Sequence, residues 1–596
     1  MVASRQMRAT RDLPLAVSLA LTALAVFFGG GPGTGSLTWL GGGALLALVV
    51  LVATEGVPNG WRALVPLALL ACWTALTIAW SLLPDRSWDY ANRALVYVLF
   101  AALGLWVAAR TRALALGLMA IFGAVLAWSL LGKVLPFVYD YGPPEVGRLR
   151  GPVGLWNQLA LIADFALPLA LWRKRIEGAL LAYVALVALL LTYSRGGIVT
   201  AVAVVAAWFV FDDGPYESAR TLVAAAVPGV VVVGIAFALP GVTGDGESSH
   251  TRWRDGLIFG ALLVLGAVGA AFLRRARLPR VARRVVVAAA VLVVALVVVA
   301  VVLKGVGSGA VGNGGHRITS TSSNFRLTWW KQSLRGAQHH LLGGTGAGSF
   351  HLTNLRYRDS FLDYTTEPHN LPLQFLSETG VVGLALLVLS MGVLLRGTLR
   401  RRGHELALAL LLPAFLLHSL VDVDWDFVAV SAPAFLAAGA LAGGVERLRV
   451  SPFASLVAAG AAVLAFGVLL MPWLGERWSS QASAAVSNAK AITLAKRARS
   501  ADPLLVEPLW TLALAAEDQG KPRLALAYYE EAVRKQPKNP QTLLLAGLFA
   551  LDNGCPRLAY SYLEPFSELN PKERPDKGPD QYRRSLRLVN SGKPTC

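Results

Sequence analysis

Charged side chains are scarce in this chain. Asp, Glu, Lys and Arg make up 15% of its 596 residues, where soluble domains carry about 25%. So little charge cannot coat the surface of a water-soluble chain of this length, which all but excludes a soluble enzyme. The 55% hydrophobic content and mean hydropathy of +0.54 exclude a disordered chain. Cysteine is scarcer still. Cys72, Cys555 and Cys596 are too few for a disulfide framework or a four-thiolate zinc site. Acidic residues are outnumbered, 36 against 55 Lys and Arg, for a formal net charge of +19. In a soluble protein that excess would point to nucleic acid, so the position of the charge has to be read first.

What is abundant is long apolar sequence. A membrane-spanning helix needs about 20 mostly apolar residues. Fifteen segments qualify, at roughly 13–29, 37–54, 63–82, 93–109, 113–135, 157–172, 178–193, 197–211, 220–240, 255–273, 285–303, 371–395, 405–421, 427–445 and 452–472. The segment 285–303 is the clearest, flanked by Arg284 and Lys304. The stretch 13–54 holds no charge, and the Gly-rich 29–36 splits it in two. Arg5, Arg8 and Arg11 precede the first segment as they would in a signal peptide. An uncleaved first span is the preferred reading, because span follows span and no small-residue cleavage site is clear.

If the N-terminus is cytoplasmic and the spans alternate, short inner segments carry 22 Lys and Arg and short outer segments carry 8. This is the positive-inside bias. The basic clusters thus read as a topology signal, with no nucleic-acid partner needed. The cluster within 274–284 falls inside, which checks the count internally. The expected architecture is all-α, a polytopic bundle of about 14–15 spans. Residues 1–303 supply the first spans, 304–370 a large extracytoplasmic loop, and 371–474 the last spans.

Beyond residue 474 the composition becomes that of a soluble domain with a repeat. Pro503, Pro537 and Pro571 are 34 residues apart, as are Ala491, Ala525 and Ala559. Arg523-Leu524-Ala525 recurs as Arg557-Leu558-Ala559. This is the tetratricopeptide period, with Gly547 where two helices must approach closely. Residues 475–573 are therefore expected to form an extracytoplasmic TPR-like α-solenoid, followed by a basic tail at 574–596. Such arrays usually present a groove to a protein partner, and the alternative is a stabilising cap. Cys555 and Cys596 both fall outside in this topology, where a disulfide between them is permitted.

The outer loop concentrates the unusual residues. Asn370, Gln374 and Glu378 recur at helical spacing as one polar stripe entering a span, which is either a site or an interfacial hydrogen-bond network. His369, at the mouth of that span, is a general-base candidate because histidine titrates near neutral pH; its alternative is a structural or solvated side chain. Arg195 lies in the tight turn Tyr193-Ser194-Arg195-Gly196-Gly197 on the side where arginine is depleted. It reads either as a phosphate clamp or as a side chain snorkelling to the interface, and Arg326 has the same two readings. The glycines of 343–348 read as a structural turn, since no Gly-Lys-Ser/Thr follows to make a P-loop. Asp422, Asp424 and Asp426 read as solvated carboxylates with a weaker case for a cation, and no metal site is expected. Asp164 interrupts a span and is a site candidate by position.

Taken together, His369-Asn370 with Leu373-Gln374, Leu376, Glu378, Gly380 and Gly383 resembles the signature of the O-antigen ligase and polymerase superfamily. Arg326 before Trp329-Trp330, the glycine-rich 342–350, Ser194-Arg195-Gly196, Gly154-Leu155-Trp156-Asn157 and His418-Ser419-Leu420-Val421-Asp422 support it. The resemblance covers about 60–445. Some protein O-oligosaccharyltransferases of this superfamily are also similar in carrying an outer tetratricopeptide tail. The resemblance implies a multi-pass inner-membrane enzyme of the cell envelope. It would transfer a glycan from undecaprenyl diphosphate to an acceptor hydroxyl outside the cytoplasm, without ATP, metal or other cofactor. Arg195 and Arg326 would hold the diphosphate and His369 would serve the acceptor, with Asn370, Gln374, Glu378 and Asn157 in support. The acceptor, whether glycan, lipid or protein, is left open. A polysaccharide polymerase is the rival within the family, and a polytopic transporter or flippase the rival outside it.

Overall fold

The computed structural model describes residues 2–138, 147–276, 281–304, 320, 322–398, 400–574 and 578–591, with 2–11 and 296–304 through the backbone alone. Arg277, Arg280 and Cys596 lie outside the described residues, and with Cys596 goes its pairing to Cys555.

Helices lie over all fifteen apolar segments. In chain order they are α1 (Val2–Phe27), α2 (Thr34–Glu55), α3 (Val65–Leu76), α4 (Pro84–Val107), α5 (Thr111–Val134), α6 (Trp156–Arg173), α7 (Ile176–Leu191), α8 (Arg195–Phe211) and α9 (Pro215–Ala236). The one-turn α10 (Pro240–Thr243) leads to α11 (Ser249–Arg275) and α12 (Arg283–Lys304). The outer loop contributes α13 (Arg326–His339) and α14 (Phe350–Tyr357). Then come α15 (Leu371–Arg396), α16 (Gly403–Ala409), α17 (Leu411–His418), α18 (Val428–Ala442) and α19 (Pro452–Ser483). Apolar runs take this form because a helix satisfies its own backbone hydrogen bonds in hydrocarbon. Among the described residues, seven stretches are both long and apolar enough to cross a bilayer: Thr34–Glu55, Trp61–Ala79, Pro84–Val134, Pro215–Ala236, Ser249–Arg275, Leu371–Arg396 and Pro452–Ser483. Shorter apolar helices accompany them, among them Ile176–Leu191, Arg195–Phe211 and Val428–Ala442. The protein is an all-α polytopic membrane bundle.

Small residues set the tightest crossing, between α4 and α18. A Cβ on Gly104 would sit 2.3 Å from the Leu436 carbonyl oxygen, and one on Gly439 would sit 2.0 Å from that of Ala101. Only glycine lets two backbones come this close, the usual means of helix packing in a membrane. The charged segments gather away from this core. Lys174 pairs with Asp212, Arg274 with Glu217, and Arg402 with Asp213. Thr111 meets His404 at 3.1 Å. The segments counted as inner in the sequence thus contact one another.

Six further helices follow: α20 (Asn488–Ala501), α21 (Glu507–Asp518), α22 (Pro522–Lys535), α23 (Pro540–Asp552), α24 (Pro556–Leu569) and α25 (Pro579–Asn590). Each packs on the next. The starts of α20, α22 and α24 keep the 34-residue spacing. A Cβ on Gly547 would meet Leu563 at 2.5 Å, the close approach its position demands. This tail is seated on the rest of the protein. Gln536 donates to Asp85 at 2.7 Å, and Arg358 reaches Asn570 at 2.8 Å and Glu573 at 3.3 Å.

Candidate functional site

Asp422 is the meeting point of the site. It follows α17, is 3% exposed, and accepts a hydrogen bond from Arg326 Nη2 at 3.0 Å. Its other oxygen lies 3.6 Å from His369 Nδ1, and Asn157 Nδ2 also donates to it. Burial pushes the Asp422 carboxyl up, but the nearness of His369 and Arg326 outweighs this and holds it well below the usual range.

Each partner stands at or beside a helix N-terminus. Arg326 opens α13, Asn157 lies in the first turn of α6, and His369 precedes Asn370, whose side chain caps α15 by accepting from Leu373 N at 2.9 Å. Arg195 opens α8, which Ser194 caps. That end of α8 abuts the same segment: a Cβ on Gly196 would lie 3.0 Å from Val421 and 3.4 Å from His418. Arg195 itself donates to the Ser320 carbonyl. Asn370 Nδ2 and Leu371 N donate to the carbonyls of Leu420 and Ser419 at 2.9 Å. Four helix N-termini, each carrying roughly half a positive charge, therefore converge on 418–422.

The backbone is strained where these residues sit. Tyr193, Asn324, Phe325 and His369 all have φ between 53° and 64° without being glycine. Such residues are uncommon, and they concentrate at sites the surrounding fold over-determines. His369 is further fixed by stacking on Trp329, with ring centroids 5.1 Å apart and planes 24° apart. Its Nδ1 faces Asp422 at 3.6 Å.

The polar stripe divides by task. Asn370 is a cap and precedes the helix body. Gln374 donates to the Tyr90 hydroxyl at 3.2 Å. Glu378 accepts from Gly348 N at 2.9 Å and Phe350 N at 3.0 Å. The glycine-rich loop is a structural turn, because further N–H groups in it are also taken up by the protein: Thr345 N by the Ser377 carbonyl, Gly346 N by the Glu378 carbonyl and Ala347 N by the Thr77 hydroxyl. It lies so close to α15 that a Cβ on Gly344 would fall 2.1 Å from the Glu378 carbonyl carbon. Gly380, at φ 69°, breaks α15 there, and a Cβ on it would fall 2.1 Å from Leu342 O.

The three aspartates depart from the expectation of solvated carboxylates. Asp422 and Asp424 are buried, and each of the three engages a different basic side chain. Asp424 pairs with His418 Nδ1 at 2.7 Å, and Asp426 with Arg93 at 3.7 Å. The reason is tertiary: α6, α13 and α15 close over what reads as an outer loop. Asp164 is fully buried, both its oxygens lack a hydrogen-bond partner, and it lies within electrostatic range of His418 and Asp424.

Two residues beside His369 had no role in the sequence. The Tyr90 hydroxyl lies 3.0 Å from Glu367 and 3.2 Å from Asp426. One phenolic hydroxyl thus faces two carboxylates. Burial first, and then the Asp426 charge, push the Glu367 carboxyl up to about 7. Its place two residues before His369 was the available signal. For Asp422 the signal was its position in the His418-to-Asp422 segment.

Residues 250–388 match the O-antigen ligase family. The match supports the O-antigen ligase superfamily and, with it, a membrane glycosyl-transfer function of the ligase or polymerase kind. Arg326, His369, Asn370, Gln374 and Glu378 lie within the matched residues, whereas Asn157, Arg195 and Asp422 are brought to that region by the fold. No curated protein matches the chain at a significant level.

Proposed function

We propose that this O-antigen ligase-type protein transfers a glycan from undecaprenyl diphosphate to an acceptor hydroxyl on the extracytoplasmic face. The observation that carries the reading is the joint hold of Asp422 on His369 and Arg326 amid converging helix N-termini. Asp422 orients the imidazole so that Nε2 accepts the acceptor's hydroxyl proton, the logic of a carboxylate–histidine pair. The freed oxygen attacks the anomeric carbon of the donor sugar. The bond from that carbon to the diphosphate oxygen breaks, and the diphosphate leaves with the electron pair. Arg195, Arg326 and the N-terminal N–H groups are suited to stabilise that developing charge. The donor's lipid stays in the bilayer while its diphosphate and sugar reach this end of the bundle. Topology supports the same side: with a cytoplasmic N-terminus, the count of 22 against 8 basic residues favours these groups lying outside. The tail, in this reading, is a tetratricopeptide array that shapes the acceptor side and offers a surface to a protein partner.

The test is transfer by the purified full-length protein in lipid nanodiscs, with a lipid-linked glycan as donor. His369→Ala and Arg326→Ala should each lose at least about a hundredfold in kcat. Full activity in both variants would reject the assigned roles. Glycan length in the products separates ligation from polymerisation.

A further inference from the structure

The segment that leads into α6 reaches both the start of that helix and the turn between α7 and α8, and it carries a buried arginine that the reaction above does not use. Arg148 is 5% exposed. Its guanidinium carbon lies 3.8 Å from the centroid of the Trp156 ring, and Trp156 opens α6 directly before Asn157. Its Nε donates to the Thr192 carbonyl at 3.0 Å. Thr192 closes α7 and stands three residues before Arg195. The segment itself is pinned: Leu149 N donates to Leu191 O at 3.0 Å, Gly147 N to Asp245 at 2.7 Å, and Lys133 Nζ to Gly147 O at 3.1 Å.

We infer that Arg148 is a positioning residue: it braces the α7–α8 turn against the start of α6 and so fixes where Arg195 points. The inference rests on the function proposed above. Tyr193 and Ser194 alone separate Thr192 from Arg195, and both are constrained. Tyr193 holds φ at 55°, a conformation that a bulky side chain rarely adopts. Ser194 N donates to Thr192 Oγ1 at 3.1 Å, and Ser194 Oγ accepts from Gly197 N at 3.2 Å. A turn this tight passes any movement of Thr192 on to Arg195. Arg148 also meets the electrostatic need at that point, because the C-terminal end of α7 concentrates carbonyl charge that a cation offsets. Arginine suits the place and lysine does not. One flat guanidinium can lie on an indole face and donate in its own plane to a carbonyl at the same time. The same contact holds the Trp156 ring beside Asn157, which donates to Asp422. One cation thus ties together two of the arms gathered at the site. A direct grip of Arg148 on the diphosphate is the competing role, and the two differ in how Arg148 and Arg195 combine.

The experiment is a double-mutant cycle on glycan transfer, with full-length protein in nanodiscs. Arg148→Ala should lower kcat about tenfold or more in the native background, since a small misplacement of a binding group costs that much. In an Arg195→Ala background the same change should cost about threefold or less, because no guanidinium is left there to misplace. Arg148→Lys keeps the charge and should not restore activity. Trp156→Leu removes the ring face from the other side of the brace and should repeat the pattern in both backgrounds, so the comparison survives if Arg148→Ala fails to fold. Native activity in any of the three single variants overturns the inference while leaving the transfer activity standing. So does an equal fall in both backgrounds, the mark of an independent contact with the diphosphate. Absence of transfer by the unmodified protein overturns the functional reading, and this inference with it.

Discussion

Asp422 has two neighbours that differ in what they need from it. Arg326 makes a charge-assisted hydrogen bond at 3.0 Å, while His369 sits at 3.6 Å, where orientation matters more than bond strength. Asp422→Asn keeps the shape and removes the charge. Its kcat should fall on the order of 10²–10⁴-fold with KM changed little, since a carboxylate behind a histidine acts mainly in the transition state. Steady-state kinetics at fixed pH checks this. Glu367 makes a prediction of opposite electrostatic sign. Its carboxyl is raised from 4.5 to about 7 among Tyr90, Asp426, Thr366 and Arg86. The folded protein therefore binds a proton there that the unfolded chain has already released. That contribution is fully present below pH 4.5 and is lost as pH rises to about 7. Raising the pH from 5 to 8 should lower the apparent Tm of the native protein more than that of Glu367→Gln. Equal pH dependence in the two would show that the buried proton lies elsewhere.

Elements, not single side chains, hold the loop that carries His369 against the bundle. The glycine-rich loop grips α15 at its break through a row of hydrogen bonds, with Val381 N donating to Leu341 O at 2.8 Å below it. Trp73 and Trp80 donate to Thr379 O and Gly343 O from the other side. This clamp fixes where α15 begins, and so where His369 points. Gly380→Ala should lower the apparent Tm and impair transfer together. Backbone strain alone contributes about 1–3 kcal/mol, before the contact with Leu342 O is counted. A variant with native Tm and native activity would mean that the break in α15 is dispensable. The polar stripe was legible in the sequence because i, i+4 spacing is local. The break was not, because it depends on a loop from over 30 residues earlier lying against the helix.

The whole molecule separates a basic end from an end of converging helix N-termini. In a bilayer this predicts that cysteines introduced near His369 and Arg326 react with an impermeant reagent from outside, and those near Arg402 only after permeabilisation. Cys72 is exposed and free, so it must first be replaced. The tail forms a second layer on the outer loop. Arg358 is the latch, 3% exposed at its side chain and held by Asn570 and Glu573. From it a buried chain runs back to the site: Asp363 accepts from Gln332 and Asn354, and its carbonyl accepts from Trp329, the residue on which His369 stacks. Arg358→Ala should cost about 1.5–3 kcal/mol and loosen the tail, seen as faster proteolysis after residue 474. Transfer should weaken as well, since the tail supports the floor under His369.

The sequence by itself determined the solvent this protein lives in and the helices that follow from it. Apolar length is a local property, and a backbone in hydrocarbon has no alternative to bonding itself. It also carried His369, Arg195 and Arg326 as chemistry at one end of the bundle. The tertiary structure alone decided what those residues face. Asp422 lies 96 residues from Arg326 and 265 from Asn157, and in sequence it is one of three carboxylates in a short acidic turn. Whether a carboxylate stays in water or becomes a buried partner depends on which helices close over it, and that is set by packing between distant segments, not by any spacing along the chain.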